Sequence, residues 1–312
     1  EDAGVADTIA AHSTPPSGLR HSAFYAGIAG PGEDFGRCLA KVESWGAGGD
    51  DEQWRAASAW HQLNLPQIRL EPLMKERAQE LSPGRIRFNH ELLELEQDDS
   101  GVTVLIRDKD AGREYRVRAR YLVAADGGRT VSKQLGVTYE GLGVVGQTAT
   151  MHVSMDLSDH LGDPDVLLRW VLSPQAGTGV VLAPMGPTRW GADSEEWVIH
   201  LNYLMDDPRA FSDEQVEADV RRGMGLPDTP MEIHRITRWT VEAVLASTFQ
   251  VDRVFLVGDA AHRHPPTGGL GLTSAVQDVH NLCWKLAAVL DGQAEPGLLR
   301  TYEPERRSSV AR

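Results

Sequence analysis

The sequence predicts an α/β protein of two interleaved domains, one layered α/β and the other built on an antiparallel sheet. Three observations predict it. Two apolar runs, RYLVAADGG (residues 120–128) and RVFLVGD (residues 253–259), each stop at a Gly/Asp turn that leads on towards a helix. That is the strand–loop–helix pattern of α/β sheets. Between residues 148 and 204, strand-like runs such as Val166–Leu172, Gly179–Ala183 and Trp197–Tyr203 are separated by Pro, Gly and Asp clusters, as in an antiparallel sheet. Finally, 312 residues is long for a single core.

The elements follow in order. Residues 1–10 read as the end of a helix, and residues 15–58 are mixed and Gly-rich, with short apolar runs such as Ser22–Ile28. A helix is expected from Pro66 to Leu81, where Leu70, Leu73, Met74 and Ala78 recur at helical spacing. Pro72 falls inside that pattern and moves the expected start to Arg69–Glu71. Ile86–Glu96, Val102–Asp108 and Tyr115–Ala125, joined by DDSG and DKDAG, read as a β-meander. Ser212–Arg222 is a short helix with Ser212 as N-cap and Gln215 three residues on. Arg253–Val257 is a continuous apolar strand, and an amphipathic helix runs from Leu272 to Leu290 and stops before Asp291-Gly292. The chain opens as if within a helix and closes on the helix-like TYEPERRSSVAR, so both ends read as cuts.

Composition narrows the partners. Hydrophobic residues make up 41% and charged residues 24%, as in a globular protein rather than a disordered one. The formal charge, 31 − 45 = −14, repels phosphate backbones, so nucleic acid is not expected as a partner. No apolar run reaches the roughly 18–20 residues that cross a bilayer, so no membrane is expected either. The acidic first residues lack the basic region of a signal peptide. Cys38 and Cys283 are far apart and outside any metal spacing, which suits a reducing cytoplasm. A homodimer is compatible with all of this.

The chemistry concentrates in RVFLVGDAAHRHPPTGGLGLTSAVQD, residues 253–278. A buried strand ends in Gly258-Asp259. Glycine lets a ligand approach the backbone, and an Asp at a strand's carboxyl end is placed to accept hydrogen bonds from a ribose or ribityl hydroxyl. A rigid Pro265-Pro266 pair and a loop with Gly268, Gly269 and Gly271 then feed a helix, whose N-terminus carries about half a positive charge and free N–H donors. A second segment, residues 120–137, is a strand whose end carries Asp126, Gly127 and Gly128, followed by Arg129 and a short helix. Taken alone, either turn is common in α/β proteins.

Taken whole, residues 253–278 closely resemble the FAD-ribose segment of the class A flavoprotein monooxygenases, which include p-hydroxybenzoate hydroxylase and phenol 2-monooxygenase. The pattern of 2,4-dichlorophenol 6-monooxygenase is closely similar: a GDAxHRHPP string, a GLG turn and a QDxxNLxWK helix, here Gln277-Asp278 followed by Asn281-Leu282-Cys283-Trp284-Lys285. Residues 120–137 resemble the family's Asp-Gly fingerprint, and NLPQIRLEPLMKERA (residues 64–78) its Pro-Gln…Glu-Pro helix. SWGAGG (residues 44–49), the meander RFNHELLELEQDDSGVTV and Trp239-Thr240-Val241 fit the same pattern.

The resemblance implies an FAD-binding Rossmann-like domain, N-terminally truncated, over residues 1–14, 60–140 and 241–312. An antiparallel-sheet substrate domain takes residues 15–59 and 141–240. It implies an NADPH- or NADH-dependent monooxygenase that hydroxylates a phenolic substrate with dioxygen through a flavin hydroperoxide. Asp259 and Gly258 are implied at the ribityl chain, and Asp126 and Gly127 on the phosphate side. Gln67 would meet the flavin chain. Pro266, Gly268, Gly271, Leu272 and Thr273 would hold the flavin and its oxygen adduct; relatives usually carry Asn at the position of Thr273.

Besides Thr273, one feature departs from the family. The GxGxxG segment has no counterpart, because GIAGPGEDFG (residues 27–36) lacks the flanking strand and apolar helix. The base that deprotonates the phenol lies, in phenol hydroxylase-like enzymes, in the N-terminal part, so no catalytic residue is assigned. Two alternatives stand beside this reading: a polyketide-tailoring flavin hydroxylase of the same fold, and a truncated non-catalytic fragment. A halogenase is disfavoured because its Trp-x-Trp-x-Ile-Pro string is absent. His262-x-His264 has no carboxylate or cysteine at matching spacing, so a loop role is expected and no metal. Trp284 reads as core, and Trp170 and Trp197 as lining or packing the substrate sheet.

Overall fold

A computed structural model describes residues 3–30, 33, 35–44, 52–58, 60–173, 178–203 and 212–311. The chain is mixed α/β and divides into two compact units, residues 1–86 with 146–239 and residues 87–145 with 240–312. Residues 1–14 and 60–86 thus fall in the first unit by compactness, whereas the functional reading groups them with the cofactor domain. Most of the SWGAGG string lies outside the described residues.

The first unit is organised by a broad sheet. Across it run residues 146–154, Glu196–Tyr203, Thr178–Gly186, Val166–Ser173, His21–Ala26 and Arg37–Glu43, with residues 232–239 beyond the first. The strands between residues 148 and 204 pair antiparallel as expected, and His21–Ala26 joins them in parallel with Val166–Ser173. The sequence signal for strands is an alternation of side chains, which is the same for either direction.

Alternation splits the sheet into two faces. On one, Ala149, Met151, Val153, Trp197, Ile199, Leu201, Val180, Leu182 and Val171 are buried. The helix Asp213–Met224 contributes Val216, Val220 and Met224 to the same core. Each large side chain buried this way contributes roughly 1.5–3 kcal/mol. Ser212 caps that helix by accepting from the Gln215 amide, as its spacing predicts. Trp197 therefore packs the core, its indole N–H shared between the Met155 and Ser194 carbonyls at 3.2 Å each. Trp170, one strand position out of phase, stands half-exposed on the other face.

The helix Gln67–Leu81 also belongs to the first unit and starts two residues before the range expected from Pro72. Its first turn closes on the Pro66 carbonyl, which accepts from the Arg69 and Leu70 amides at 2.8 and 3.0 Å. The proline therefore costs one later bond rather than the helix nucleus.

The second unit holds two small sheets. His90–Asp98, Gly101–Asp108 and Arg113–Ala119 form the expected meander. The third run does not continue to residue 125 as one strand. It breaks, and Leu122–Ala124 joins a different sheet, pairing in parallel with Val254–Leu256. The Leu122 amide is drawn away by the Arg253 carbonyl at 3.0 Å. Behind this pair pack the helices Gly271–Leu290 and Tyr302–Val310. Tyr302 is buried and donates its hydroxyl to the Leu256 carbonyl at 2.6 Å. Trp284 is corrected from core to surface: it is 53% exposed, because the buried side of its helix carries Asp278, Leu282 and Lys285. Among the described residues no helix is long and apolar enough to cross a membrane.

Candidate active site

The parallel pair of the second unit brings two chain segments to one edge. Leu122, Val123 and Ala124 register against Val254, Phe255 and Leu256, and the Val257 amide still bonds the Ala124 carbonyl at 3.0 Å. Both strands then end at the same level, which places the Asp126 and Asp259 turns side by side. In open α/β sheets the crevice beyond the carboxyl ends of the strands is where ligands bind. Here it is a cleft of about 700 Å³ lined by Asp126, Gly127, Arg129, Gly258, Asp259 and Arg263, among others.

Asp126 organises its own turn. Its carboxylate accepts from the Gly128 amide at 3.1 Å and from the Thr130 and Val131 amides at 2.8 Å each. Burial opposes its charge, but these backbone donors prevail and hold the carboxyl below the usual range. Gly127 and Gly128 have φ of 71° and 74°, and a Cβ on Gly128 would lie 2.1 Å from the Tyr139 hydroxyl. Only glycine fits this turn.

Asp259 is different. It is exposed on the cleft, and its carboxylate has no partner among the described residues, so its acceptor capacity faces outward. Gly258 (φ 57°) seats the turn against Ala275 of the following helix.

Three residues to which sequence reasoning assigned no site role, Asp278, His262 and Arg263, hold this geometry. Asp278 is fully buried. It accepts from the Gly258 amide (3.0 Å), His262 Nε2 (2.7 Å) and Arg306 Nε (2.7 Å). Burial again opposes its charge, and the bonds from His262, Arg306 and Gly258 outweigh it and keep the carboxyl low. His262 is itself buried in the strand His262–Arg263, with its ring 5.0 Å from that of His264 and tilted by 43°, so the first histidine is a core group rather than a loop residue. Arg263 donates to Glu242 at 2.6 Å and lies 4.3 Å over the Tyr139 ring. It also reaches the Asp259 carbonyl at 3.1 Å and the Gly127 carbonyl at 3.4 Å, tying one turn to the other. The signal was present, since His262, Arg263 and Asp278 all lie inside the quoted string. Nothing in a linear string shows that position 278 folds back under position 258.

The remaining expected residues divide. Pro266 and Gly268 form a short turn, and Gly271, Leu272 and Thr273 open the helix Gly271–Leu290, whose start has no side-chain cap. This segment is exposed, and the cleft is lined by Ala275 and Val279 further along the helix rather than by residues 266–273. Gln67 belongs to the first unit, where it donates to Glu71 one helical turn on.

A model of the FAD binding domain family matches residues 1–312, and the chain belongs to that family. It is 36% identical to a 2,4-dichlorophenol 6-monooxygenase of Delftia acidovorans, over 90% of this chain and 47% of the relative. It is 40% identical to a putative polyketide hydroxylase of Streptomyces halstedii, over 76% of this chain and 42% of the relative. Among solved structures it is similar to the flavin-dependent monooxygenase PieE in complex with FAD and substrate, with a TM-score of 0.86 and 38% identity over 99% of this chain and 53% of that one. The chain thus spans about half the length of the curated relatives it matches.

Proposed function

We propose that this chain is part of an FAD- and NAD(P)H-dependent monooxygenase that hydroxylates a phenolic aromatic substrate with dioxygen. The observation that carries it is the cleft at two parallel strand ends, where the Asp259 carboxylate, without a partner among the described residues, lies beside a glycine turn fixed by Asp126. The residues fit FAD. Its sugar-like hydroxyls need acceptors, which Asp259 offers, and its diphosphate needs close backbone approach, which Gly127 and Gly258 allow. When bound, FAD supplies two-electron redox chemistry and the activation of dioxygen.

The chain's own residues then have distinct tasks. Asp259 accepts hydrogen bonds from the ribityl or ribose hydroxyls. Arg263 and Asp278 keep the two turns in register. The uncapped start of the helix Gly271–Leu290, with Thr273 in its first turn, favours negative charge on the flavin ring. Gln67 is assigned to the flavin chain by family resemblance, with residues 1–14, 60–140 and 241–312 as the cofactor-binding domain. The exposed free thiols Cys38 and Cys283 support a reducing, cytoplasmic setting.

The identity to a polyketide hydroxylase favours a second reading of the same chemistry on a polycyclic phenol. The test is to titrate with FAD, by fluorescence quenching, a form of the protein extended to include the GxGxxG segment, because residues 1–312 alone are expected to bind FAD weakly and to be inactive. NADPH and NADH oxidation is then followed with 2,4-dichlorophenol and with a polycyclic phenol. Quenching with phenol-stimulated oxidation is the expected result. A folded extended protein that leaves FAD fluorescence unchanged sinks the reading, and the preferred phenol separates the two substrate classes.

A further inference from the structure

The half-exposed face of the first unit's sheet carries one row of side chains set by strand register. Thr150 lies opposite His200, His200 opposite Val181, Val181 opposite Trp170, and Trp170 opposite Phe24. Residues directly across from one another share a face, so these form a line over the strands. One end of the line is polar. Trp239 Nε1 donates to Thr150 Oγ1 at 3.0 Å, and Thr150 Oγ1 lies 2.9 Å from His200 Nδ1. The other end is aromatic, with the Phe24 and Trp170 rings stacked 6.0 Å apart at 18°.

Thr150 thus ties down one ring nitrogen of His200. The other, Nε2, has no hydrogen-bond partner among the described residues. Burial pushes the imidazole below its ordinary range, which keeps it neutral. A hydroxyl oxygen has two lone pairs, so Thr150 is able to accept from both Trp239 and His200 Nδ1–H. That tautomer leaves Nε2 as a lone acceptor beside a flat apolar bed.

We propose that His200 Nε2 accepts the hydrogen bond of the substrate's phenolic hydroxyl, with the partly exposed Trp170 and Phe24 rings as the surface on which the substrate ring lies. This rests on the reading of the chain as an aromatic hydroxylase and deepens it by naming the residue that orients the ring.

The test compares a phenol with its own methyl ether, using the full chain with FAD added. At a pH where 2,4-dichlorophenol is protonated, calorimetric titration is expected to show it binding about tenfold more tightly than 2,4-dichloroanisole, which has no O–H to donate. His200→Leu is expected to abolish that preference while leaving the anisole affinity unchanged. His200→Gln, which restores an acceptor, is expected to recover part of it. Equal binding of phenol and ether by the unaltered chain overturns the proposal even if the Leu variant fails to fold. So does a preference that survives in the Leu variant. Binding of neither ligand overturns both this proposal and the aromatic hydroxylase reading, whereas binding without discrimination overturns the role of His200 alone.

Discussion

Asp126, Asp259 and Asp278 are three carboxylates of the second unit with three different fates, and the difference lies in what each accepts from. Asp126 is spent on its own backbone and Asp278 on His262, Arg306 and the Gly258 amide, while Asp259 faces the cleft. Asp259→Ala is therefore expected to weaken FAD binding about tenfold to a hundredfold, the loss of charge-assisted bonds worth about 1.5–3 kcal/mol, without lowering the melting temperature. Fluorescence titration and a thermal melt check both halves; an unchanged dissociation constant makes the residue only a turn former. Asp278→Asn is expected to do the reverse and destabilise the fold. Removing one partner of a buried charge pair costs about 3–5 kcal/mol. The carboxyl of Asp278 is held below its unfolded value, so its stabilisation is present above about pH 4 and fades as pH falls through the lower folded value. Urea unfolding should show a large deficit for the variant near neutrality that shrinks by about pH 3, and a deficit independent of pH counts against the ionised role.

At the scale of elements, the helix Asp213–Met224 shows how a short sequence signal and a tertiary contact share control of a boundary. Its start is local, set by Ser212. Its end is not. Gly225 closes the helix at φ 74°, and a Cβ there would lie 1.6 Å from the Ala29 carbonyl oxygen. Ser212→Ala is expected to cost about 1 kcal/mol, the usual value of an N-cap. Gly225→Ala is expected to cost at least about 2 kcal/mol, because strain in the left-handed region adds to a backbone clash. Chemical denaturation of the two variants tests the order; an alanine at 225 as mild as one at 212 means that the Ala29 segment moves aside freely.

For the whole molecule, each unit is assembled from two separated stretches of chain. His21–Ala26 needs Val166–Ser173 as its parallel partner, and Leu122–Ala124 needs Val254–Leu256. Residues 1–145 expressed alone hold only one member of each pair. That fragment is expected to show no cooperative unfolding by near-ultraviolet circular dichroism, and to gain it when residues 146–312 are supplied. A cooperative transition in residues 1–145 by themselves contradicts this division.

The mixed α/β class, most element positions and the two Gly/Asp turns were legible in the sequence, because each rests on a local rule. Side-chain alternation marks strands, apolar spacing marks helices, and glycine marks turns that no other residue enters. Local rules failed where partners are distant. They read Tyr115–Ala125 as one strand because nothing within it shows that the Leu122 amide is claimed by Arg253, and they buried Trp284 because hydrophobicity does not tell which side of a helix is covered. They also named Asp126 and Asp259 alike, when only the folded chain shows one carboxylate satisfied by its own backbone and the other open. The sequence by itself determined the elements and the residue types at the strand ends. The tertiary structure decided which of those residues meet, that His262, Arg306 and Gly258 converge on Asp278, and that Thr150, His200 and Trp170 fall in one row. Those juxtapositions are set by strand register and helix packing across large sequence separations, which no short window of sequence contains.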